Sequence, residues 1–292
     1  MPLAAWFVFA HVAAAVILGW AYFRRYRVTR PPIGVLGIGD VAFMLGAIVF
    51  VPVLYLAMPV SLVFGFLGVV TLSALYLACE PVLAAAWVVW LVTLALAAAD
   101  IISALLLGAN SSVSFAVNNL VIVLAAVGVT NLWAQSGMRA RDAVVLGLGL
   151  VVYDFVATSQ LPLMGDLFAR LEGLPFTPHL AWPVAGDGWR AIGLDDPLLA
   201  TVFPLVMRKA FGRSAGLLAM VLGLGAIGAL LALPLATIFP VMVVLGPLML
   251  AQYVYWSRRY RVERTTWQYL QAEPLARPNN PPCSANATRR GR

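Results

Sequence analysis

Long apolar runs separated by short polar connections divide this chain into segments. A helix needs about 20 apolar residues to cross the hydrocarbon core of a bilayer, and several runs reach that length with few or no charges. The pattern therefore predicts an all-α, polytopic membrane protein. On this criterion we predict nine transmembrane helices, at residues 2–23, 33–58, 60–79, 82–107, 113–134, 141–160, 191–209, 214–233 and 235–256.

Basic residues orient these helices. All except Arg170 and Arg190 fall at the cytoplasmic ends of predicted helices 1, 5 and 7 or in the C-terminal tail. Cytoplasmic connections are enriched in Lys and Arg, so we expect the N-terminus outside, the tail inside and the long connection 161–190 outside. Charged residues make up only 11% of the chain, against about 25% in soluble domains. Because the net charge of +7 arises at helix ends, it favours a lipid bilayer as partner and not nucleic acid.

Three regions follow from this pattern. Residues 1–134 hold helices 1–5 and are predicted to be a scaffold, whereas residues 141–256 hold helices 6–9 and the candidate chemistry. Residues 257–292 are rich in Arg, Pro and Asn, and we expect disorder beyond Leu270. The connection 161–190 is either an irregular linker with interfacial aromatics or a lid over a functional site.

Among the carboxylates within these apolar segments, Asp154 and Asp196 are the candidates for a facing pair. A charged side chain at mid-bilayer costs roughly 2.5–3.5 kcal/mol, so such residues usually face the bundle interior and mark function. Asp154 precedes the outer end of helix 6 by about 9 Å, and Asp196 follows the outer start of helix 7 by about 8 Å. At a shared level, one carboxyl group would hold a proton while the other is ionised, as in aspartic proteases.

Other polar residues have structural interpretations. Asp196 and Pro197 also fit a helix start, with an acidic N-cap and Pro at the first helical position. Asp40 lies near the inner face, where an acid is an ordinary helix N-terminal charge. We expect Asp100 to make a structural polar contact. Asparagines in helix 5 are expected to form interhelical hydrogen bonds, and they are Asn118, Asn119 and Asn131.

These motifs resemble the GxGD intramembrane aspartyl proteases, the presenilin and signal peptide peptidase family. Tyr153-Asp154 is similar to the Tyr-Asp pair of the family's helix 6, and residues 193–196 (Gly-Leu-Asp-Asp) resemble Gly-x-Gly-Asp of helix 7. Residues 231–234 (Leu-Ala-Leu-Pro) resemble the Pro-Ala-Leu-Pro form of the motif that opens helix 9, and Asn118-Asn119 resembles a pair in the signal peptide peptidase branch. The resemblance implies a nine-helix, presenilin-like bundle.

The resemblance also assigns roles to residues. It implies that Asp154 and Asp196 are catalytic, with Tyr153, Gly193, Leu194 and Asp195 supporting them, and that Leu231, Ala232, Leu233 and Pro234 contact substrate. Two positions depart from the family's pattern. Asp195 replaces the second glycine of the motif, and Leu231 replaces the first proline. Adjacent helical positions point about 100° apart, so we expect only Asp196 to face Asp154.

By resemblance, the reaction would be hydrolysis of peptide bonds within transmembrane helices or signal-peptide remnants in a type II orientation. The resemblance implies no cofactor, and two cysteines and two histidines make a metal site improbable. The preponderance of Arg, Ala and Gly favours a prokaryotic plasma membrane. The alternatives are an inactive protein of the same fold, a transporter relaying protons through Asp154, Asp100 and Asp196, or a prepilin-peptidase-like enzyme using residues 37–40.

Overall fold

A computed structural model describes residues 3–28, 36–83, 85–108, 110–161, 163–184, 188–233, 240–260 and 262–271 of the chain. Helices occur at all nine predicted positions, and they are joined by one β-hairpin and two short helices. The elements are α1 Leu3–Arg25, α2 Ile38–Ala57, α3 Val60–Cys79, α4 Ala86–Leu107, α5 Ser112–Gln135, α6 Ala140–Asp154, α7 Leu163–Leu171, β1 His179–Val184, β2 Gly188–Gly193, α8 Asp195–Phe211, α9 Arg213–Ala232, α10 Met242–Tyr260 and α11 Thr266–Leu270.

Membrane-spanning character is clearest in six of these helices. Within the described ranges, α1 to α5 and α9 are long and apolar enough to cross a bilayer. A seventh span is added if α6 and α7, which meet at an angle of 82°, are counted together as one broken span. The chain is therefore a multi-pass, mainly α-helical membrane protein. The count of nine spans stays a prediction, because α8 has only 17 residues and α10 ends in two arginines.

α5 lies at the centre of the bundle. Most of its residues are buried, and it packs against α1, α3, α4, α8 and β1. One apolar cluster joins α1, α6, α8, α9 and α10, and a second joins α2, α3, α4 and α7. Residues of both clusters line the large cavity described below, so the candidate site lies where the two halves of the bundle meet.

The connection 161–190 is ordered over most of its described length, and one predicted helix bound beside it is wrong. Helix 6 ends at the predicted residue 160, although it leaves α-helical geometry after Asp154 and continues as a π-helical turn, Phe155–Gln160. Residues 191–193 belong to β2 and not to a helix, because they pair in antiparallel register with His179–Ala181. A short apolar run does not by itself distinguish strand from helix. The connection is thus neither irregular nor a simple linker.

Candidate active site

Asp154 lies at the end of α6 and is held by two donors. Thr158 Oγ1 donates to its Oδ1 at 3.0 Å, and the backbone N–H of Met242 donates to its Oδ2 at 3.1 Å. Met242 is the first residue of α10, where N–H groups lack intrahelical partners. The start of α10 therefore supplies a fixed hydrogen bond to this carboxylate.

Asp195 and Asp196 are the first two residues of α8. Asp196 is buried, and its Oδ1 has no hydrogen-bond partner among the described residues. Asp154 interacts electrostatically with both Asp195 and Asp196, and all three line one cavity. The predicted convergence of Asp154 and Asp196 is thus present, but Asp195 is in electrostatic range as well, so proximity alone does not single out Asp196.

The alternative role of Asp196 as an N-cap residue is wrong in register. The N-cap of α8 is Leu194, and it makes no side-chain capping bond. Pro197 consequently occupies the third helical position instead of the first. The backbone N–H of Leu194 donates to Pro178 O at 3.1 Å, which ties the start of α8 to the residue that precedes β1.

Gly193 leaves space for the side chain of Asp195. A Cβ atom on Gly193 would lie 2.7 Å from Asp195 Oδ1, which is closer than non-bonded atoms approach. The backbone N–H groups of Asp195 and Asp196 also stabilise the Asp195 carboxylate. Gly193 therefore leaves room for this carboxylate next to the pair.

Tyr153, which precedes Asp154, contributes a polar group to the same wall. Its hydroxyl group is buried without a hydrogen-bond partner among the described residues, and its ring lines the cavity. A buried, unpartnered hydroxyl costs free energy unless a ligand or water satisfies it. This atom is thus available to a bound molecule beside the acids.

The cavity that receives these side chains has a volume of about 510 Å³. Its walls come from α2, α3, α5 to α9, β2 and Val241, which precedes α10, and are mostly aliphatic and aromatic. Its charged residues are Asp154, Asp195, Asp196 and Arg190. Pockets of a few hundred Å³ with few polar groups are typical ligand sites, and this one suits an apolar chain held near carboxylates.

The predicted substrate-contact motif at the end of α9 is only partly in the cavity. Leu231 lines it. Ala232 is the last residue of α9 and does not line it. Leu233 O accepts a 2.9 Å hydrogen bond from Arg190 Nη2 of β2, and Pro234 lies outside the described residues. Arg190 thereby joins the hairpin to the end of α9.

Two asparagines of α5 hold the hairpin. Asn119 Nδ2 donates to Ala181 O at 2.8 Å, and the Ala181 N–H donates to Asn119 Oδ1 at 3.0 Å. Asn118 Nδ2 donates to Thr177 O and His179 O. The interhelical bonds expected for this pair are therefore wrong. Asn131 does form one, to Gly19 O of α1 at 3.3 Å, as expected.

This arrangement determines which edge of the hairpin is open. Because both backbone groups of Ala181 bind Asn119, they point away from β2. In an antiparallel sheet, two residues that lie opposite each other form either a hydrogen-bonded or a non-hydrogen-bonded pair. Ala181 and its partner Ala191 form a non-hydrogen-bonded pair, so the N–H and C=O groups of Ala191 point away from β1. β2 thus has an outer edge whose backbone groups have no hydrogen-bond partner among the described residues, next to a cavity that residues 190–193 line.

The remaining acids lie elsewhere, as expected. Asp40 Oδ2 accepts from Gly37 N–H at 2.8 Å, at the start of α2. Asp100 Oδ2 accepts from Phe176 N–H at 2.8 Å, a structural contact in a separate small pocket. Within the described ranges, no group of three His, Cys, Asp or Glu side chains is arranged to hold a metal ion.

Comparisons with protein-family models, curated proteins and solved structures find no match for this chain. The family resemblance therefore rests on its short motifs, and the function has to be argued from the geometry of the site.

Proposed function

We propose that this chain is an intramembrane aspartyl protease of the signal peptide peptidase type, with Asp154 and Asp196 as its catalytic pair. One observation carries the proposal: carboxylates from the end of α6 and the start of α8 converge on one apolar cavity of about 510 Å³ inside a membrane protein. Such acids are costly in a membrane and are retained for function. Two that interact electrostatically favour sharing one proton.

The surroundings of the two acids suggest separate roles. Hydrogen bonds donated by Thr158 and Met242 stabilise the ionised form of Asp154, so we assign it as the general base. Asp196 is buried with one oxygen unpartnered, which suits a protonated acid. Asp154 would take a proton from a water molecule while the oxygen of that water attacks the scissile carbonyl carbon. Asp196 would donate a hydrogen bond to the carbonyl oxygen. Transfer of a proton to the peptide nitrogen then breaks the C–N bond.

The substrate would bind as an extended segment. A transmembrane helix satisfies its own backbone hydrogen bonds, so its peptide bonds are exposed only after local unwinding. The outer edge of β2 offers the unwound backbone replacement hydrogen bonds, as in other cases of strand addition. Because Gly193 ends β2 two residues before Asp195, a strand paired there would pass directly beside the acids.

The charge distribution supports a location for this activity. The basic helix ends favour the N-terminus outside and the C-terminus in the cytoplasm. That orientation favours type II transmembrane helices and signal-peptide remnants as substrates. We extend the proposal to the plasma membrane of a prokaryote on the basis of composition, and it requires no cofactor.

Asp195 favours one alternative, an inactive protein with the same scaffold. A third carboxylate in electrostatic range of Asp154 adds charge that competes with the Asp154–Asp196 arrangement. The proton-relay transporter has less support, because Asp100 lines a different pocket from Asp154 and Asp196. The prepilin-peptidase-like alternative has less support too, because Asp40 caps α2 and does not line the large cavity.

The test is cleavage of a panel of type II single-span peptides by detergent-purified protein, followed by mass spectrometry. Asp154→Ala and Asp196→Ala are expected to abolish cleavage. Asp100→Asn is the matched control, since it removes a buried acid outside the cavity. Undiminished cleavage by Asp154→Ala or Asp196→Ala would refute the assigned pair.

Asp195→Gly separates the two remaining possibilities. Cleavage by wild type, with equal or higher activity in Asp195→Gly, would show that the third carboxylate is tolerated. Cleavage by Asp195→Gly alone would mean that Asp195 silences a protease scaffold. If no variant cleaves any peptide, the inactive or transport function replaces the proposal.

A further inference from the structure

The C-terminal segment 262–271 lies at the end of the bundle opposite to the acids. It follows α10 and includes α11, which begins with a capping box: Thr265 Oγ1 accepts from Gln268 N–H, and Gln268 Oε1 accepts from Thr265 N–H. The ring of Tyr269 stacks on Phe23 of α1, with 5.6 Å between centroids. The segment is therefore docked against the helices and has a defined local structure.

Two neighbouring residues of this segment bind two helix ends of opposite polarity. Glu263 Oε1 accepts a hydrogen bond from the N–H of Ala140, the first residue of α6. Arg264 Nε donates to Lys209 O at 3.1 Å, and its backbone N–H donates to Ala210 O at 3.4 Å, near the end of α8. An anion at a helix N-terminus and a cation at a C-terminus are both favourable.

Lys209 connects the same segment to the centre of the bundle. It is the only lysine in the chain, and it is 1% exposed. Its Nζ donates to Ala134 O at 2.7 Å, to Met138 O at 2.6 Å and to Thr266 Oγ1 at 3.0 Å. An ammonium group is costly to bury unless each of its donors is satisfied, so removing Thr266 would leave Lys209 incompletely bonded.

These contacts join the two helices that carry the acids. α6 contacts Glu263 at its start, Ala140, and carries Asp154 at its end. α8 carries Asp195 and Asp196 at its start and contacts Arg264 near its end. We propose that Glu263, Arg264 and Thr266 are positioning residues, which fix the separation of α6 and α8 at this end and thereby the spacing of Asp154 and Asp196 at the other. The consequence for catalysis rests on the proposed protease function; the effect on helix separation does not.

The geometry gives the expected size of the effect. The 15 residues of α6 span about 22 Å, so a tilt of about 5° moves the far end by about 2 Å. A displacement of about 1 Å at an active site can cost about 100-fold in rate. Loss of the segment should therefore lower kcat by at least about 10-fold. KM should change less than kcat, because most of the cavity wall comes from elements other than α6 and α8.

The first measurement is the separation of the helices. Spin labels at Val145→Cys on α6 and at Ser214→Cys, the second residue of α9 and three residues after the end of α8, report it by pulsed electron resonance; both positions are exposed. Cys79→Ser and truncation after Gln271, which removes Cys283, give the reference protein. Truncation after Tyr260 and the point variants Glu263→Ala and Arg264→Ala should lengthen and broaden the distance distribution. Trp267→Ala, which alters an exposed ring of α11, should leave it unchanged.

The second measurement is cleavage of a type II single-span peptide that the wild type cleaves in the test described above. The variants that lengthen the distance should lose kcat, and Glu263→Gln, which keeps an acceptor for Ala140 N–H, should recover most of it. Unchanged distances in Glu263→Ala, Arg264→Ala and the truncated protein would overturn the proposal. If distances change but wild type cleaves nothing, the positioning role stands and the protease function fails.

Discussion

Asn119→Ala should release the hairpin while leaving the helical bundle intact. Asn119 is fully buried, and its side chain makes two hydrogen bonds to Ala181, of 2.8 and 3.0 Å. Removing it leaves the N–H and C=O of Ala181 without partners in an apolar environment. Each such group costs about 1–3 kcal/mol, so we expect the hairpin to lose about 2–5 kcal/mol against local opening.

Hydrogen exchange measures this loss directly. About 1.4 kcal/mol corresponds to a factor of ten, so the β2 amides that face β1, those of Gly188, Arg190 and Ile192, should exchange at least about 30-fold faster. Of these residues, Ile192 pairs with Leu180. Cleavage of the type II peptide should fall in parallel, because the outer edge of β2 leads to the acids.

Asn131→Ala is the matched control on the same helix. Asn131 is also fully buried, but it bonds Gly19 O and Val127 O, so its loss should destabilise the bundle without speeding exchange in β2. Equal protection of β2 in Asn119→Ala and wild type would refute the role assigned to Asn119. Equal deprotection in the two variants would show that exchange reports global stability only.

Three further predictions concern single side chains. Burial lowers the pKa of His179 from 6.5 to about 4, so the unfolded state binds the proton more tightly than the folded state. The free energy of unfolding should therefore fall by about 3 kcal/mol as the pH drops from 6.5 to 4. In His179→Phe, the thermal unfolding midpoint should lose this pH dependence. Gly128→Ala should lower the thermal unfolding midpoint by the equivalent of about 1–3 kcal/mol, because its Cβ would lie 2.7 Å from Ala74 O, whereas Gly225→Ala, with nothing within 4 Å, should not. Thr158→Val should reduce cleavage by removing the donor to Asp154, and Thr158→Ser should restore it; equal activities would exclude a role for this hydrogen bond.

Apolar length predicted the positions of the helices well. It depends on the cost of exposing polar groups to lipid, which is local to each segment. The orientation inferred from the basic residues stays a prediction. The convergence of Asp154 and Asp196 was predictable because both acids lie in apolar segments. The depth of about 8 Å assigned to Asp196 was wrong, because α8 begins at Asp195 and not at residue 191. Thr158, four residues after Asp154, could also have been found from helical spacing.

The hairpin and the contacts across the bundle were not predictable in this way. β2 is a strand because β1 pairs with it and Asn119 holds β1. Both contacts involve residues outside 188–193, so the sequence of this short segment does not indicate them. Met242 was missed because a backbone N–H carries no sequence signal. Whether Asp195 or Asp196 is nearer to Asp154 depends on where α8 begins, and helix ends are the least regular part of the pattern.

The side-chain amide of Asn119 also determines the register of the hairpin relative to the candidate active site. It recognises one residue of β1, so it selects a single alignment of the hairpin relative to α5. Sliding the hairpin by two residues would keep the same side chains facing inward but move the chain by about 7 Å. Asp195 and Asp196 follow directly on β2, so they would be carried past Asp154 by the same amount. The position of the carboxylates at the start of α8 thus depends on a side chain of α5.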